Sequence, residues 1–414
     1  MTLSEELSWR GFVNQTTFKD ITELDKQKRT FYWGVDPSAN SMQIGNFAAA
    51  MMARHFIDYG YTPILLVGGA TGLIGDPDGK KVERDLKSVE EVEANVRGIS
   101  DQFKRIFAGK SFDIVNNYDW FKDMNYMTFL REVGKHVPMR QMLGREFVQS
   151  RLGEDGAGIS YAEFSYSLIQ GYDFLHLYQA KDATLQLCGA DQWGNSIAGV
   201  DLIRRIAGGE AHVWSTPLVI NKSTGIKFGK SEAGAIWLDA EKTSPTEFYQ
   251  FWINCDDLGV IDYMKIYTFL TQEEIETIKR QHEENPGLRF AQTRLAEEVT
   301  TLVHGKDLML LAKKATEVLT GKVLLDEAEE VIENLRREIP FAKTHETGSI
   351  IAALVETGLA VSNGEARRLI QSNAISVNGD KIQRDNFQPS DFRRGRALIR
   401  RGKAYKDSAV LETA

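Results

Sequence analysis

The chain has 414 residues, more than one hydrophobic core usually organises, and its 42% apolar and 26% charged residues are typical of a soluble globular protein. Its two cysteines, Cys188 and Cys255, lie far apart, which excludes a disulfide framework and a C-x-x-C metal site and fits a reducing cytosol. An acidic N-terminal stretch and the lack of an apolar run of about 18 residues predict neither a secretory signal nor a membrane span, so we expect a cytoplasmic protein.

Charge is distributed unevenly along the chain. Residues 361–414 contain 11 Lys and Arg against 6 Asp and Glu, a net charge of +5, whereas the remainder carries −13. A basic C-terminal region on an acidic body predicts that this region, rather than the whole surface, meets a polyanion.

The first informative stretch has the pattern of a strand, a turn and a helix start. The β-prone run 31–35 leads into a turn at Asp36, and beyond Gly45-Asn46 a strong helix pattern covers 47–59. Because a helix N-terminus presents unpaired N–H groups and a partial positive charge, this helix start is a candidate phosphate site. The alternative is an ordinary first βα unit of an α/β domain.

A short apolar run at 61–67 predicts a buried parallel strand, which ends in a glycine-rich segment at 68–80. Glycines allow the backbone to approach a ligand closely, but their spacing here excludes the G-x-G-x-x-G dinucleotide fingerprint. A tight strand-to-helix connection is the alternative. Asp76, Lys80 and Arg84 are the candidate polar groups of this region.

The segment 161–179 has a helix pattern, followed by a predicted strand at 185–189. Three polar side chains of the helix fall at i, i+4 and i+7 and therefore share one face: Tyr166, Gln170 and Asp173. Such a stripe is usually solvated, but the apolar residues around it favour a stripe that faces a pocket. Asp191 and Gln192 follow the strand, at the position where α/β sheets place ligand groups.

A later loop at 222–231, which we call the lysine loop, carries Lys227 and Lys230 three positions apart, with Ser231 next to the second lysine. The glycine spacing excludes a P-loop. Two ammonium groups in a loop suit a triphosphate whose charge moves during a reaction. An ordinary surface loop is the alternative.

The C-terminal third divides into two patterns. Residues 245–339 are predicted to be almost entirely helical with a break at Pro286, and a linker is expected between Pro340 and Gly348. Residues 348–408 read as two helices, a hairpin with Asn378-Gly379 as its turn, and an arginine-rich end. This combination indicates RNA binding.

Five blocks of sequence, in this order, resemble the bacterial-type tyrosyl-tRNA synthetases, which are class I aminoacyl-tRNA synthetases. The blocks are Phe31-Tyr-Trp-Gly-Val-Asp-Pro-Ser, Val67-Gly-Gly-Ala-Thr-Gly-Leu-Ile-Gly-Asp-Pro, Phe164-Ser-Tyr to Tyr172-Asp-Phe, Gly189-Ala-Asp-Gln-Trp-Gly-Asn and Lys227-Phe-Gly-Lys-Ser. The C-terminal region resembles the S4-type RNA-binding domain that ends many of these enzymes. The resemblance covers essentially the whole chain.

The resemblance implies an α/β fold in three parts. These are a Rossmann-like parallel-sheet catalytic domain at 1–240 with an inserted dimerisation segment at about 110–190, a helical anticodon-binding region at 241–340 and a small α+β S4-type domain at 345–414. It also implies a homodimer that activates L-tyrosine with ATP to tyrosyl-adenylate and pyrophosphate, then transfers the tyrosyl group to tRNA(Tyr). ATP is expected as its Mg²⁺ complex, and no protein-bound metal is expected.

Site residues follow from the resemblance, position by position. The tyrosine site would comprise Tyr32 and Asp173 at the phenolic oxygen, Asp76, Tyr166 and Gln170 at the ammonium group, Gln192 at the carboxylate, and Asp36. The nucleotide would contact Gly45, Gly189, Asp191 and Lys230. The catalytic group would comprise Gln43, Asn46, Lys80, Arg84, Lys227, Lys230 and Ser231. RNA would contact Arg367, Arg368, Arg400 and Arg401.

One motif departs from the family. Where the family usually has His-Ile-Gly-His, this chain has Gln43-Ile-Gly-Asn46. Gln and Asn amides also supply N–H donors, and Asn is favourable at a helix start, so we expect Gln43 to bind the α-phosphate region. The alternative is that Gln43 only fills space and catalysis depends on the lysine loop.

Two other classes of function are compatible with parts of the sequence. An RNA-binding paralogue without activity is supported only by the altered first motif, and the intact lysine loop argues against it. A ligase with a non-tRNA acceptor is disfavoured by the basic C-terminal region. A tyrosine–tRNA ligase therefore remains the leading prediction.

Overall fold

The computed structural model describes residues 1–77, 85–153, 158–231, 234–321, 323–325, 329–402 and 405–414; for residues 141, 146, 147, 230, 231 and 405 it describes the backbone only. The chain forms two compact units. The first comprises Met1–Asp239 and Asp256–Ala291, and the second comprises Ala240–Cys255 and Gln292–Ala414.

The helices and strands are numbered along the chain. The α-helices are α1 (Leu3–Arg10), α2 (Glu23–Lys26), α3 (Ile44–Asp58), α4 (Gly69–Ile74), α5 (Val89–Ile106), α6 (Tyr118–Phe121), α7 (Tyr126–Glu132), α8 (Met139–Leu143), α9 (Glu146–Leu152), α10 (Tyr161–Lys181), α11 (Trp193–Leu202), α12 (Pro245–Ile253), α13 (Val260–Tyr267), α14 (Gln272–Glu284), α15 (Phe290–His304), α16 (Lys306–Leu319), α17 (Ile332–Glu338), α18 (Ile350–Glu356) and α19 (Asn363–Gln371). The strands are β1 (Thr30–Val35), β2 (Thr62–Val67), β3 (Asp113–Asn116), β4 (Ala183–Gly189), β5 (His212–Thr216), β6 (Lys230–Ser231), β7 (Gly234–Ala235), β8 (Phe341–Thr344), β9 (Ile375–Val377), β10 (Asp380–Lys381), β11 (Arg396–Arg401) and β12 (Ser408–Thr413). Short 3₁₀ turns lie at Gly134–His136, Ala190–Gln192, Pro286–Leu288, Glu329–Val331, Pro389–Asp391 and Tyr405–Asp407, and Ile203–Ala207 forms a π-helical turn.

The first unit contains a five-stranded parallel sheet in the order β3-β2-β1-β4-β5. Its central strands are apolar and buried, as expected for strands covered on both faces. The strand order reverses between β1 and β4, and α/β sheets bind ligands beyond the carboxyl ends of the strands at such a point. The predicted Rossmann-like α/β fold is therefore confirmed.

Helices α10 and α11 pack closely against each other because two glycines lie at their contact. A Cβ atom on Gly199 would lie 2.7 Å from the Cβ of Phe174, and one on Gly171 would lie 3.2 Å from the backbone of α11. Larger residues at these positions would push the helices apart. The glycines therefore keep α10, which carries the predicted polar stripe, close to the helix that follows β4.

The first unit differs from the local predictions at the start of one helix and contains one helix that was not predicted. Helix α3 begins at Ile44 rather than at residue 47, because the Asn46 side chain accepts a hydrogen bond from the Gln43 backbone N–H (3.1 Å) and closes the first turn. The glycine-rich segment, for which no helix was predicted, forms α4 directly after β2. Its first turn is capped from β3 and the residue after it: the Ala70 N–H donates to Asn117 Oδ1 at 2.6 Å.

The second unit combines helices with a mixed sheet in the order β10-β9-β11-β12-β8. The predicted turn Asn378-Gly379 joins β9 to β10, and both residues have positive φ, 50° and 96°, as a two-residue hairpin turn requires. The predicted linker is wrong in part, because Phe341–Thr344 forms β8 and pairs in parallel with β12.

Side chains alternate across this mixed sheet. Leu398 and Val410 pack into a cluster with residues of α16 and α17, whereas Ala397 and Ile399 pack into a cluster with α18 and α19. Since successive strand residues face opposite sides, β11 and β12 bury apolar groups on both faces of the sheet. In neither unit is a described helix both long and apolar enough to cross a lipid bilayer.

Candidate active site

A cavity of about 650 Å³ lies in the first unit, beyond the carboxyl ends of β1 and β4. Its size is typical of small-molecule sites. It brings together most of the predicted site residues: Tyr32, Asp36, Gln43, Gly45, Asn46, Asp76, Tyr166, Gln170, Asp173, Gly189, Asp191, Gln192 and Lys227. The predicted Lys80 and Arg84 lie outside the described residues, and of Lys230 and Ser231 only the backbone, in β6, is described.

One end of the cavity, the buried end, is lined by Tyr32 and Asp173, and Asn117 and Trp120 hold the Asp173 side chain there. The Asp173 carboxyl group accepts hydrogen bonds from Asn117 Nδ2 at 3.1 Å and from Trp120 Nε1 at 2.9 Å. The Tyr32 hydroxyl group is buried and has no hydrogen-bond partner within the described part of the chain. Buried polar groups are normally paired, so this hydroxyl indicates a ligand with a complementary polar group.

Burial governs the ionisation of this end. It raises the pKa of Asp173 to about 8, although the hydrogen bonds from Asn117 and Trp120 lower it. Burial also raises the pKa of Tyr32 well above its ordinary value, and the nearby Asp173 adds to the effect. At neutral pH both groups are therefore largely uncharged before a ligand binds. The buried end suits a neutral hydroxyl group, which can both donate and accept a hydrogen bond.

The middle of the cavity collects acceptor oxygens. The Asp36 carboxylate accepts hydrogen bonds from the Tyr166 hydroxyl group at 2.5 Å and from the Thr71 hydroxyl group at 2.6 Å. Gln170 Oε1 is buried without a partner in the described ranges. Together with the carboxylate of Asp76, these oxygens provide a site for a cation such as an ammonium group.

The other end, the open end, is formed by Gln43, Gly45, Asn46 and Lys227. Gly45 and Asn46 lie in the first turn of α3 and are exposed, and Gln43 precedes the helix and is half-buried. The N-terminus of α3 is held in place because the Ile44 N–H donates to the Ile236 carbonyl at 3.1 Å. The positive end of this helix and the exposed Lys227 ammonium group favour an anion.

The lysine loop is attached to α3 and to α13 by its middle residues. Phe228 is buried and stacks on Tyr263 with ring centroids 4.1 Å apart. Gly229 has a φ of +90°, and a Cβ atom there would lie 3.2 Å from Ile44, so a larger residue would be strained and crowded. The Tyr263 hydroxyl group accepts a hydrogen bond from the Lys222 N–H at 3.1 Å. These contacts hold Lys227 at the rim of the cavity.

Three polar residues of the site were missed by the sequence analysis: Thr71, Asn117 and Trp120. Asn117 directly follows the carboxyl end of β3, so the rule that singled out Asp191 and Gln192 could have found it. Trp120 lies in a one-turn helix, α6, and has no local signal of its own. Thr71 belongs to the glycine-rich segment whose helical conformation was not predicted.

The predicted RNA-binding arginines belong to the second unit and differ in their surroundings. Arg367 and Arg368 are exposed on α19. Arg400 donates to the Leu319 carbonyl at 2.7 Å, and Arg401 donates to the Leu359 carbonyl at 3.1 Å. The second pair is thus half-buried and bound to the protein's own backbone, whereas the first pair is accessible to a polyanion.

Comparison with known proteins matches both units. The family described as tRNA synthetases class I (W and Y) matches residues 24–320, and the tyrosine–tRNA ligase SYY-like C-terminal domain matches residues 331–406. The tyrosine–tRNA ligase of Geobacillus kaustophilus (strain HTA426) is 47% identical over 391 residues, 92% of each chain. Tyrosine–tRNA ligase 2 of Bacillus cereus (strain ATCC 10987 / NRS 248) is 42% identical over 414 residues, 97% of this chain and 98% of that one.

Solved structures give the same result for the fold. A C-terminally truncated mitochondrial tyrosyl-tRNA synthetase from Aspergillus nidulans aligns with a TM-score of 0.69 and 29% sequence identity. The alignment covers 76% of this chain and 93% of that chain. The sequence and structure comparisons therefore agree on one family.

Proposed function

Since the chain belongs to the class I tyrosyl-tRNA synthetases, we propose that its cavity is where L-tyrosine and ATP react. The chain is a tyrosine–tRNA ligase. The observation that carries the assignment of the cavity is its buried end, where the unpaired Tyr32 hydroxyl group and the Asp173 carboxyl group face the same space.

The tyrosine side chain would enter the buried end. Its phenolic hydroxyl group would complete the hydrogen bonds of Tyr32 and Asp173. Phenylalanine would leave the buried Tyr32 hydroxyl group unpaired and would add no hydrogen bond to Asp173, which costs free energy and so favours tyrosine. The ammonium group would lie among the acceptor oxygens of Asp36, Asp76, Tyr166 and Gln170, and the carboxylate beside the Gln192 amide.

ATP would enter from the open end, as its Mg²⁺ complex. The substrate carboxylate is already ionised and would attack the α-phosphorus, so that a bond to the tyrosine oxygen forms as the bond to pyrophosphate breaks. No strong general base is needed. The role of the protein would be positioning and charge stabilisation, because the transition state gathers charge on the phosphate oxygens.

The remaining assigned groups divide between the nucleoside and the phosphates. Gly45, Gly189 and Asp191 line the cavity beside the helix start and β4, where the adenosine would bind. Gln43, Asn46 and Lys227 would contact the phosphates. We also assign Lys80, Arg84, Lys230 and Ser231 to the leaving pyrophosphate, by position in the family motifs.

Binding measurements test this placement directly. Isothermal titration should detect tyrosine binding to the full-length protein and no comparable binding of phenylalanine. Tyr32→Phe should weaken tyrosine binding about 3- to 15-fold, the cost of one neutral hydrogen bond, and leave the affinity for ATP unchanged. Equal affinities of the wild-type protein for the two amino acids would contradict the placement of the phenol.

We propose that the exposed arginines of α19 contact tRNA(Tyr). Arg367→Glu with Arg368→Glu should lower the rate of tRNA charging and make it more sensitive to salt, while tyrosine-dependent pyrophosphate exchange stays unchanged. The double substitution Arg393→Glu with Arg394→Glu is the matched control, because it makes the same change of charge at basic residues outside α19. Unchanged charging in the α19 variant would exclude this contact.

We propose a cytoplasmic homodimer whose interface includes the segment between β3 and β4. Five large apolar side chains of this segment are exposed by 52% to 71%: Tyr126, Met127, Met139, Leu152 and Tyr161. Exposed apolar groups concentrated in one segment indicate a protein interface, here with a second copy of the chain. Light scattering should give a dimer for the wild-type protein and a larger monomer fraction for Met127→Glu.

A further inference from the structure

A chain of side-chain hydrogen bonds runs into the cavity from Arg145, which lies between α8 and α9. Arg145 Nη1 donates to Asn195 Oδ1 at 2.8 Å, Asn195 Nδ2 donates to Gln192 Oε1 at 3.1 Å, and Gln192 Nε2 donates to Asp76 Oδ2 at 2.6 Å. We call these four residues the amide relay. It joins a surface segment to the acceptor cluster where the substrate ammonium group is assigned.

The two ends of the relay determine its direction. An arginine can only donate hydrogen bonds and an ionised carboxylate can only accept them, whereas each amide has one oxygen and one NH₂ group. With Arg145 on its oxygen, Asn195 turns its NH₂ group toward Gln192. Gln192 must then offer its oxygen to Asn195 and its NH₂ group to Asp76 and the cavity. The donor-only arginine at one end and the acceptor-only carboxylate at the other therefore fix the orientation of both amides.

The backbone around the relay supports this arrangement. Arg145 Nη2 donates to the Gly194 carbonyl at 2.8 Å, so the guanidinium group contacts both a side chain and the backbone in the first turn of α11. Asn195 is buried, and the Ser196 hydroxyl group donates to the Gln192 carbonyl at 2.9 Å. A buried amide with several partners, such as that of Asn195, has little freedom to turn over.

We propose that Arg145 and Asn195 are positioning residues for the tyrosine carboxylate. They hold Gln192 so that its NH₂ group, and not its oxygen, faces the carboxylate, while Asp76 faces the ammonium group. The substrate carboxylate then meets an N–H donor, and the substrate ammonium group meets a carboxylate. This inference rests on the proposed placement of tyrosine in the cavity and extends it to residues that do not contact the substrate.

A change of one amide reverses the direction of the relay and so tests it. In Asn195→Asp the side chain can only accept, and Gln192 must turn its NH₂ group toward residue 195 and its oxygen toward the substrate carboxylate. We expect the KM for tyrosine in pyrophosphate exchange to rise about 10- to 100-fold in Asn195→Asp and about 3- to 10-fold in Asn195→Ala. The KM for ATP and kcat should each change less than about threefold.

Conservative replacement of the arginine provides the second test. Arg145→Lys keeps a donor-only group and should stay closer to the wild-type KM for tyrosine than Arg145→Met. Arg140→Met, an exposed arginine in α8, is the matched control and should leave both kinetic constants unchanged. Thermal melts of each variant identify any loss that comes from unfolding. A kcat that falls, or a KM for ATP that rises, together with the change in the KM for tyrosine would point to a purely structural role.

The variant Gln192→Ala separates this inference from the proposed function. If it raises the KM for tyrosine while Asn195→Asp resembles Asn195→Ala, the relay is overturned and the placement of the carboxylate stands. If Gln192→Ala leaves the KM for tyrosine unchanged, the placement itself fails and the relay with it. The inference is supported if Asn195→Asp raises the KM for tyrosine more than Asn195→Ala does, and if the KM in Arg145→Lys stays closer to the wild-type value than that in Arg145→Met.

Discussion

The buried end and the open end of the cavity differ in task and in chemistry: one would select the amino acid, and the other would bind the phosphates. At the buried end, Asp173 is already held by Asn117 and Trp120, and both Asp173 and Tyr32 are buried. At the open end, Lys227 is exposed and the N-terminus of α3 adds positive potential. Selection between two similar amino acids requires desolvated groups that are costly to leave unpaired, whereas phosphates require charge that can follow them during the reaction.

The largest effect is expected at the open end. Lys227→Ala removes a cation that would stabilise the departing pyrophosphate, so kcat for tyrosine activation should fall about 100- to 1000-fold. The KM for tyrosine should barely change, because the buried end is intact. Single-turnover formation of tyrosyl-adenylate measures this effect. Lys222→Ala, an exposed lysine of the same loop paired with Asp262, is the control and should retain activity.

At the buried end, a substitution should act on selectivity instead. Asp173→Asn replaces one acceptor oxygen with an NH₂ group and disturbs its two existing hydrogen bonds, so kcat/KM for tyrosine should fall about 10- to 100-fold. The small kcat/KM for phenylalanine should stay constant, since phenylalanine makes no hydrogen bond there. An equal loss for both amino acids would indicate that Asp173 only maintains the fold.

A smaller effect is expected for the residue that departs from the family motif. Gln43→Ala removes a neutral N–H donor, and kcat for activation should fall about 3- to 15-fold. Gln43→His restores a ring N–H at the same place and should remain near the wild-type rate. If Gln43→Ala activates tyrosine as fast as the wild-type protein, the side chain only fills space and catalysis at the open end depends on the lysine loop.

The last prediction concerns stability rather than rate, and it tests the ionisation of the buried end through its pH dependence. The folded pKa of Asp173, about 8, lies above that of an unfolded aspartate, so its contribution to stability is full below about pH 4 and is lost as the pH rises through 8. The melting temperature of the wild-type protein should therefore fall relative to that of Asp173→Asn as the pH rises from about 5 to about 8. Parallel pH curves for the two proteins would show that the carboxyl group is ionised throughout.

Sequence patterns were most informative where a functional group lies on a regular element. The i, i+4, i+7 spacing placed Tyr166, Gln170 and Asp173 on one helix face, and the structure confirms that all three line the cavity. The end of β4 likewise located Asp191 and Gln192. These inferences succeed because helix and strand periodicity set side-chain direction without any knowledge of distant residues.

Partners supplied from elsewhere in the chain could not be inferred in the same way. Trp120 meets Asp173 across 53 positions of sequence, and Arg145 meets Asn195 across 50. Such pairs depend on how α6 and the segment before α9 pack against the sheet and α11. The strand β8 was mistaken for a linker for the same reason, since its only ladder partner, among the described strands, is β12.

The most direct test of the account is tyrosine-dependent ATP–pyrophosphate exchange by the full-length protein, with phenylalanine in parallel. We expect exchange with tyrosine and far slower exchange with phenylalanine, because only tyrosine completes the hydrogen bonds of Tyr32 and Asp173. Such a result also shows that the Gln43-Ile-Gly-Asn46 motif is competent. A protein that melts cooperatively and yet exchanges no pyrophosphate with tyrosine, or exchanges equally with both amino acids, would contradict it.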